Sequence, residues 1–98
     1  MNSKIYIQSG NEIIRALGKQ YALNRKRLGF TQKAVSSQSG ISVFTISSFE
    51  NGSATGITLS SFIKLLRAIE MLEEIEKILP KMPESPKELY KKQLKMQG

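Results

Sequence analysis

Cysteine, histidine and aspartate are all absent from this 98-residue chain. Without cysteine there is neither a disulfide framework nor a thiolate metal site. Without histidine and aspartate the commonest remaining metal ligands and acid–base partners are missing, and all eight acids are glutamates. General acid–base work would fall to glutamate, lysine or tyrosine, and no pair of these marks a cleft in the pattern. Gly52–Gly56 lacks the following lysine of a phosphate-cradling loop. No apolar run reaches the ~18–20 residues that span a bilayer. No secretory signal is visible, since the N-terminal apolar patch is only Ile5-Tyr6-Ile7. The expectation is a soluble cytoplasmic protein that is not an enzyme and carries no cofactor or metal.

What the chain does have is positive charge. The formal net charge is +7, which points to an anionic partner such as nucleic acid. Lys4, Arg15, Lys19, Arg25, Lys26 and Arg27 face a single acid, Glu12, before residue 31. Glu70, Glu73, Glu74 and Glu76 make a later stretch acidic, and Lys87, Lys91, Lys92 and Lys95 make the tail basic again. The tail lacks the broad apolar face with aromatic anchors that membrane-surface binding needs.

Local patterns predict an all-α domain. Residues 1–8 form an arm in which Lys4–Ile7 is short and β-prone, either frayed or paired with its copy in a dimer. Ser9 and Glu12 have capping-box spacing and open a first helix whose core stripe is Ile13, Leu17, Tyr21 or Ala22, and Leu28. Gly18 is a mild weakness within it, and Gly29 ends it with Phe30 packing back. Thr58 caps a later helix with Leu59, Phe62, Ile63, Leu66 and Ile69 on its apolar face. Met71, Leu72, Ile75, Ile78 and Leu79 continue at helical spacing, although Glu70-Met71 lacks the glycine that would mark a break between two helices. Pro80 and Pro83 mark a linker. Ser85, Pro86 and Glu88 then start a short basic helix reaching about Met96. The organisation read from this is an arm at 1–8, a helical domain at 9–79 and a proline-broken tail at 80–98.

The most specific stretch is Thr31 to Gly52. Thr31 is a plausible N-cap and Gly40 supplies the left-handed turn that ends a helix. Ser42 caps a second helix, with Asn51-Gly52 as its stop. Ala34, Val35, Ile41, Ile46 and Phe49 would share one small core. Two short helices joined this way form a helix-turn-helix, whose second helix usually lies in the major groove of DNA.

Leu28-Gly29-Phe30-Thr31-Gln32, Val35, Gly40-Ile41-Ser42, Thr45-Ile46-Ser47 and Phe49-Glu50-Asn51-Gly52 together resemble the lambda-repressor/Cro (XRE) type of helix-turn-helix proteins over roughly residues 13–70. Ser36 departs from the family's usual alanine, which implies a slightly looser helix. The resemblance implies a five-helix lambda-repressor-like DNA-binding domain followed by the basic tail helix. It also implies an Arg25–Glu50 pair joining the first helix to the recognition helix, with the arginine able to offer a phosphate a donor. Gln32, Lys33, Asn51, Thr58, Ser60 and Ser61 are the other expected phosphate contacts, several of them beside free helix N-terminal N–H groups. The groove-facing positions are Val43, Phe44, Thr45, Ser47 and Ser48. None is an arginine, lysine, asparagine or glutamine, so bidentate readers of guanine and adenine are missing and DNA shape should carry part of the specificity. Phe44 could touch a thymine methyl or pack against protein.

Apolar residues from Ile57 to Leu79 exceed one face of a small bundle. Met71, Leu72, Ile75, Ile78 and Leu79 are therefore candidates for a homodimer interface on a palindromic duplex operator. The segment 67–92, RAIEMLEEIEKILPKMPESPKELYKK, is similar to the end of HipB-like antitoxins. That likeness implies an autorepressor of a toxin–antitoxin operon, partnered by a HipA-like kinase. The alternatives are a protein-interaction inhibitor that does not bind DNA, and a controller of restriction–modification genes.

Overall fold

Hydroxyl side chains decide where the helices begin. Ser9, Thr31, Ser42 and Thr58 each stand in extended backbone and accept a hydrogen bond from the amide three residues on, at 3.0–3.1 Å. Each bond satisfies one of the amides left unpaired by helix geometry. The structure, a computed structural model, describes residues 4–97. Its helices are α1 (Lys4–Ile7), α2 (Gly10–Arg27), α3 (Gln32–Ser39), α4 (Val43–Asn51), α5 (Leu59–Ala68), a 3-10 helix (Leu72–Lys77) and α6 (Pro86–Gln97). The described residues contain no strand. The fold is the expected all-α, lambda-repressor-like one.

Helix ends follow equally local rules. Gly29, at φ 84°, closes α2 with a double bond pattern, Gly29 N–H to Lys26 O and Phe30 N–H to Arg25 O. Gly40 and Gly52 end α3 and α4 in the same left-handed conformation. After α5 the same pattern appears on a residue that is not glycine. Glu70 takes φ 61°, with Glu70 N–H bonded to Arg67 O and Met71 N–H to Leu66 O. The break that the sequence left unmarked is thus made by a glutamate in a strained conformation.

The core is built on Phe49. Its ring meets Tyr21 of α2 at 5.9 Å and Phe62 of α5 edge-on at 6.1 Å. Val35, Ile46, Leu65, Leu66 and Ile69 complete the buried set, with Phe30, Ile41, Ile57, Met71 and Ile75 packed around it. Tyr21 donates its hydroxyl proton to Leu65 O at 2.8 Å, so the one phenol in the core is satisfied. Burial and the Glu50 charge push its pKa up, against a smaller opposing effect of Arg25.

Several expectations are corrected. Lys4–Ile7 is one helical turn, not a strand, since a helical turn satisfies its backbone locally whereas a strand needs a neighbour. Residues 1–3 of the expected arm, and Gly98 of the tail, lie outside the described residues. Leu17, Leu28, Ala34 and Leu59 are exposed rather than core, and Leu65 is fully buried although the pattern passed over it. The stretch after Glu70 is a 3-10 helix ending at Lys77, not an α-helix to Leu79. Leu72, Ile75 and Ile78 recur every three residues, the period at which 3-10 side chains eclipse on one side.

Gly18 is a requirement rather than a weakness. A Cβ there would lie 2.0 Å from Phe49 O and 2.9 Å from Phe49 C, inside backbone that cannot yield. α2 and α4 approach this closely only because the side chain is missing. Gly18→Ala is expected to cost about 3 kcal/mol of stability. Gly10→Ala, where the added carbon meets nothing within 4 Å, should be neutral or slightly stabilising. Urea unfolding of the two variants checks the contrast, and equal effects would contradict the close α2–α4 approach.

Candidate nucleic-acid interface

α4 is nine residues long, too short to hold its own orientation. Two contacts from α2 fix it. One is the Gly18–Phe49 approach. The other is a charged pair at its far end, where Arg25 Nε donates to Glu50 Oε2 at 2.7 Å and Arg25 Nη2 to Glu50 Oε1 at 2.8 Å. Both residues are buried, Arg25 at 6 % and Glu50 at 8 % exposure. Arg25 Nη1 also donates to Phe30 O at 2.9 Å, and Gln32 Nε2 donates to Glu50 Oε1 at 3.0 Å. No buried side-chain nitrogen or oxygen among the described residues lacks a partner.

Burial pushes the Glu50 carboxyl up, but hydrogen bonds from Arg25 and Gln32 and the charges of Arg25 and Lys26 outweigh it, leaving its pKa below the ordinary 4.5. On the other side of the pair, the hydrogen bond to Glu50 holds the Arg25 guanidinium above its ordinary value against the opposing effect of burial.

Two of the expected phosphate contacts also bond within the protein. Arg25 directs one donor from each of its three guanidinium nitrogens into the protein, so at least three of its five N–H groups serve bracing. Gln32 turns its amide inward to the same carboxylate, leaving the backbone N–H groups of Gln32 and Lys33 at the open start of α3. The other expected contacts lie at or near the surface. Lys33, Thr58 and Ser60 are exposed and Ser61 is half-buried. Thr58 Oγ1 is occupied by Ser61 N–H. Asn51 closes α4, exposed, with Oδ1 accepting from Ser53 N–H at 2.8 Å. Arg15, which the sequence reading did not single out, donates from Nε to Gly52 O at 3.3 Å and ties the end of α4 to α2.

The side of α4 opposite Ile46, Phe49 and Glu50 is open. Phe44 is 80 % exposed and Val43 42 %, so Phe44 does not pack into the protein. Thr45 is exposed; its Oγ1 accepts from Ser42 Oγ at 3.0 Å, which leaves its own proton free to donate. Ser47 and Ser48 are half-buried, and Ser48 lines a shallow cleft with Phe44, Thr45 and Ile57. Of the expected interface residues, Met71, Leu72 and Ile75 are half-buried, Met71 and Ile75 against the core. Ile78 and Leu79 are 60 % and 86 % exposed. No helix among the described residues is long and apolar enough to cross a membrane.

Two capped helices in this relation, the second with an open face, define a helix-turn-helix protein of the all-α class. A helix-turn-helix family model matches residues 23–76, more than half of the chain. The chain belongs to that XRE-type family and is a DNA-binding regulator. No curated protein and no solved structure matches it.

The pair should carry much of the fold's specificity. Glu50→Leu leaves a buried guanidinium unpaired and is expected to cost about 3–5 kcal/mol, whereas Arg25→Met with Glu50→Leu should recover most of that loss. Because the folded pKa of Glu50 is lowered, its contribution is whole above pH 4.5 and is lost as pH falls through the lowered value. Acid unfolding of the wild type and the double variant checks this. A double variant as acid-sensitive between pH 4.5 and 2 as the wild type would place the titration elsewhere.

Proposed function

We propose that the chain is a transcriptional autorepressor that binds a palindromic operator as a homodimer, reading it with the open face of α4. The observation that carries this is the combination of an open α4 face, with Val43, Phe44 and Thr45 exposed and Ser47 and Ser48 half-buried, and a buried charged brace behind it. Val43, Phe44, Thr45, Ser47 and Ser48 form the base-facing set. Lys33, the amides opening α3, Asn51, Thr58, Ser60 and Ser61 hold backbone phosphates, while Arg25 acts from within by fixing the angle of α4. Two copies joined through Met71, Leu72, Ile75, Ile78 and Leu79 would set their α4 helices ~34 Å apart, one turn of the duplex. The acidic 3-10 stretch and the proline-broken lysine-rich tail support a HipB-like antitoxin with a kinase toxin as its second partner.

The base-facing set is polar and apolar but uncharged, so affinity should come chiefly from phosphates. Fluorescence anisotropy across a salt series tests this division. Lys33→Ala is expected to weaken binding to every duplex and to lower the salt slope by about one. Thr45→Ala and Ser48→Ala should leave the slope unchanged and alter which sequence is preferred. If both classes behave alike, the assignment fails. No binding to any duplex at low ionic strength would favour the competing reading, a protein-interaction module, to which the exposed Phe44 also suits.

A further inference from the structure

An apolar groove of about 360 Å³ runs between α2, α5 and the 3-10 helix. Tyr21, Phe62, Leu66 and Ile69 form its floor, and Leu17 and Ile78 its edges. Glu74 stands on its rim, paired with Lys77 at 3.1 Å, and Glu70, Glu73 and Glu76 lie in the same acidic stretch. The groove takes up the surface that Leu17 leaves uncovered at 40 % exposure and Ile78 at 60 %.

The same chain carries a segment of matching character. At 100° per residue, Leu89, Tyr90, Leu94 and Met96 fall on one side of α6, and Lys87, Lys91, Lys92 and Lys95 on the other. All four apolar residues are at least 49 % exposed. Lys87 and Lys92 border the apolar stripe, where they can reach an acidic rim. Lys92 already takes a carboxylate partner, pairing with Glu84 of the linker.

The linker favours placing α6 away from its own body. Leu79, Met82 and Ser85 each precede a proline and are held towards extended backbone. An extended linker carries α6 away from its own body. The molecule measures 58 × 33 × 23 Å, and its 18.7 Å radius of gyration exceeds the ~13 Å of a compact chain of this length.

We propose that α6 of each copy docks its Leu89–Leu94 stripe into the groove of a second copy, a reciprocal helix exchange that closes the dimer. The exchange is self-complementary under a two-fold axis and covers both exposed apolar surfaces at once. It rests on the homodimer reading above and names the segment that makes the contact.

The cysteine-free chain makes the test direct. Leu17→Cys and Leu94→Cys are prepared as separate full-length chains, mixed and mildly oxidised. The expected product is a 17–94 disulfide between chains, identified by mass and exceeding the 17–17 and 94–94 products. In sedimentation equilibrium without DNA, Leu89→Glu with Leu94→Glu should raise the dimer dissociation constant by roughly a hundredfold. At a concentration low enough for both chains to be monomeric, circular dichroism melting of the bundle should be unchanged. A dimer that survives the double substitution, a wild-type chain monomeric at all concentrations, or absence of the 17–94 product overturns the proposal. So does a single chain carrying both Leu17→Cys and Leu94→Cys that closes its disulfide internally while remaining monomeric. Because both measurements omit DNA, their failure is separate from failure of the DNA-binding assignment.

Discussion

The Arg25–Glu50 pair is the constraint on which the geometry of α4 depends. Burying two charges is costly, and a hydrophobic pair of similar volume would often serve stability equally well. What apolar contact lacks is direction. Phe49 and Ile46 can keep α4 attached to the bundle at many small rotations, because burial of area is non-directional. Two parallel N–H···O bonds between planar groups admit one rotation. The additional donors from Arg25 to Phe30 O and from Gln32 to Glu50 extend that constraint. The turn before α3, the start of α3 and the end of α4 are thereby held to one guanidinium–carboxylate unit. A helix that must present side chains to a fixed lattice of base edges needs this kind of constraint more than it needs extra stability.

Most of this was legible in the sequence because it is written in local chemistry. The caps Ser9, Thr31, Ser42 and Thr58, and the left-handed Gly29, Gly40 and Gly52, each act within three or four residues of themselves. The tail helix was likewise readable from Ser85 and Pro86. The features that were not legible depend on neighbours distant in sequence. Gly18 looks like a defect until Phe49, 31 positions away, is placed against it. Leu65 is buried because α5 turns that side to the α3–α4 pair. Glu70 breaks a helix against its own propensity, held there because Met71 and Ile75 find the core on the other side of the turn.

The inward bonds of Arg25 and Gln32 share one cause. The family resemblance implies that Arg25 braces Glu50 and can also offer a phosphate a donor, and the place of Gln32 at the start of α3 implies a donor there as well. Availability is a three-dimensional property. Once Glu50 is buried it takes donors from both residues, and those bonds are worth more there than on a wet surface. Lys33, one residue further, has no such carboxylate and remains exposed. Adjacent residues of similar chemistry can therefore have opposite duties, and burial of their nearest acid separates them.

An uncharged base-facing surface also bears on how the protein selects its site. On the proposed reading, valine, phenylalanine, threonine and two serines would discriminate bases by methyl contact and by single hydrogen bonds, each weaker than a bidentate pair. Selectivity then rests on how well a duplex can bring its phosphates to the fixed ends of α3, α4 and α5 at once, which depends on its shape and stiffness. That requirement is sharper for two rigidly related copies than for one, since a second set of phosphates must fit at a set separation. In the proposed homodimer, with so few base-reading side chains, the relation between copies would itself be a determinant of specificity. A dimer closed by short structured elements suits that task better than one joined through a flexible tether.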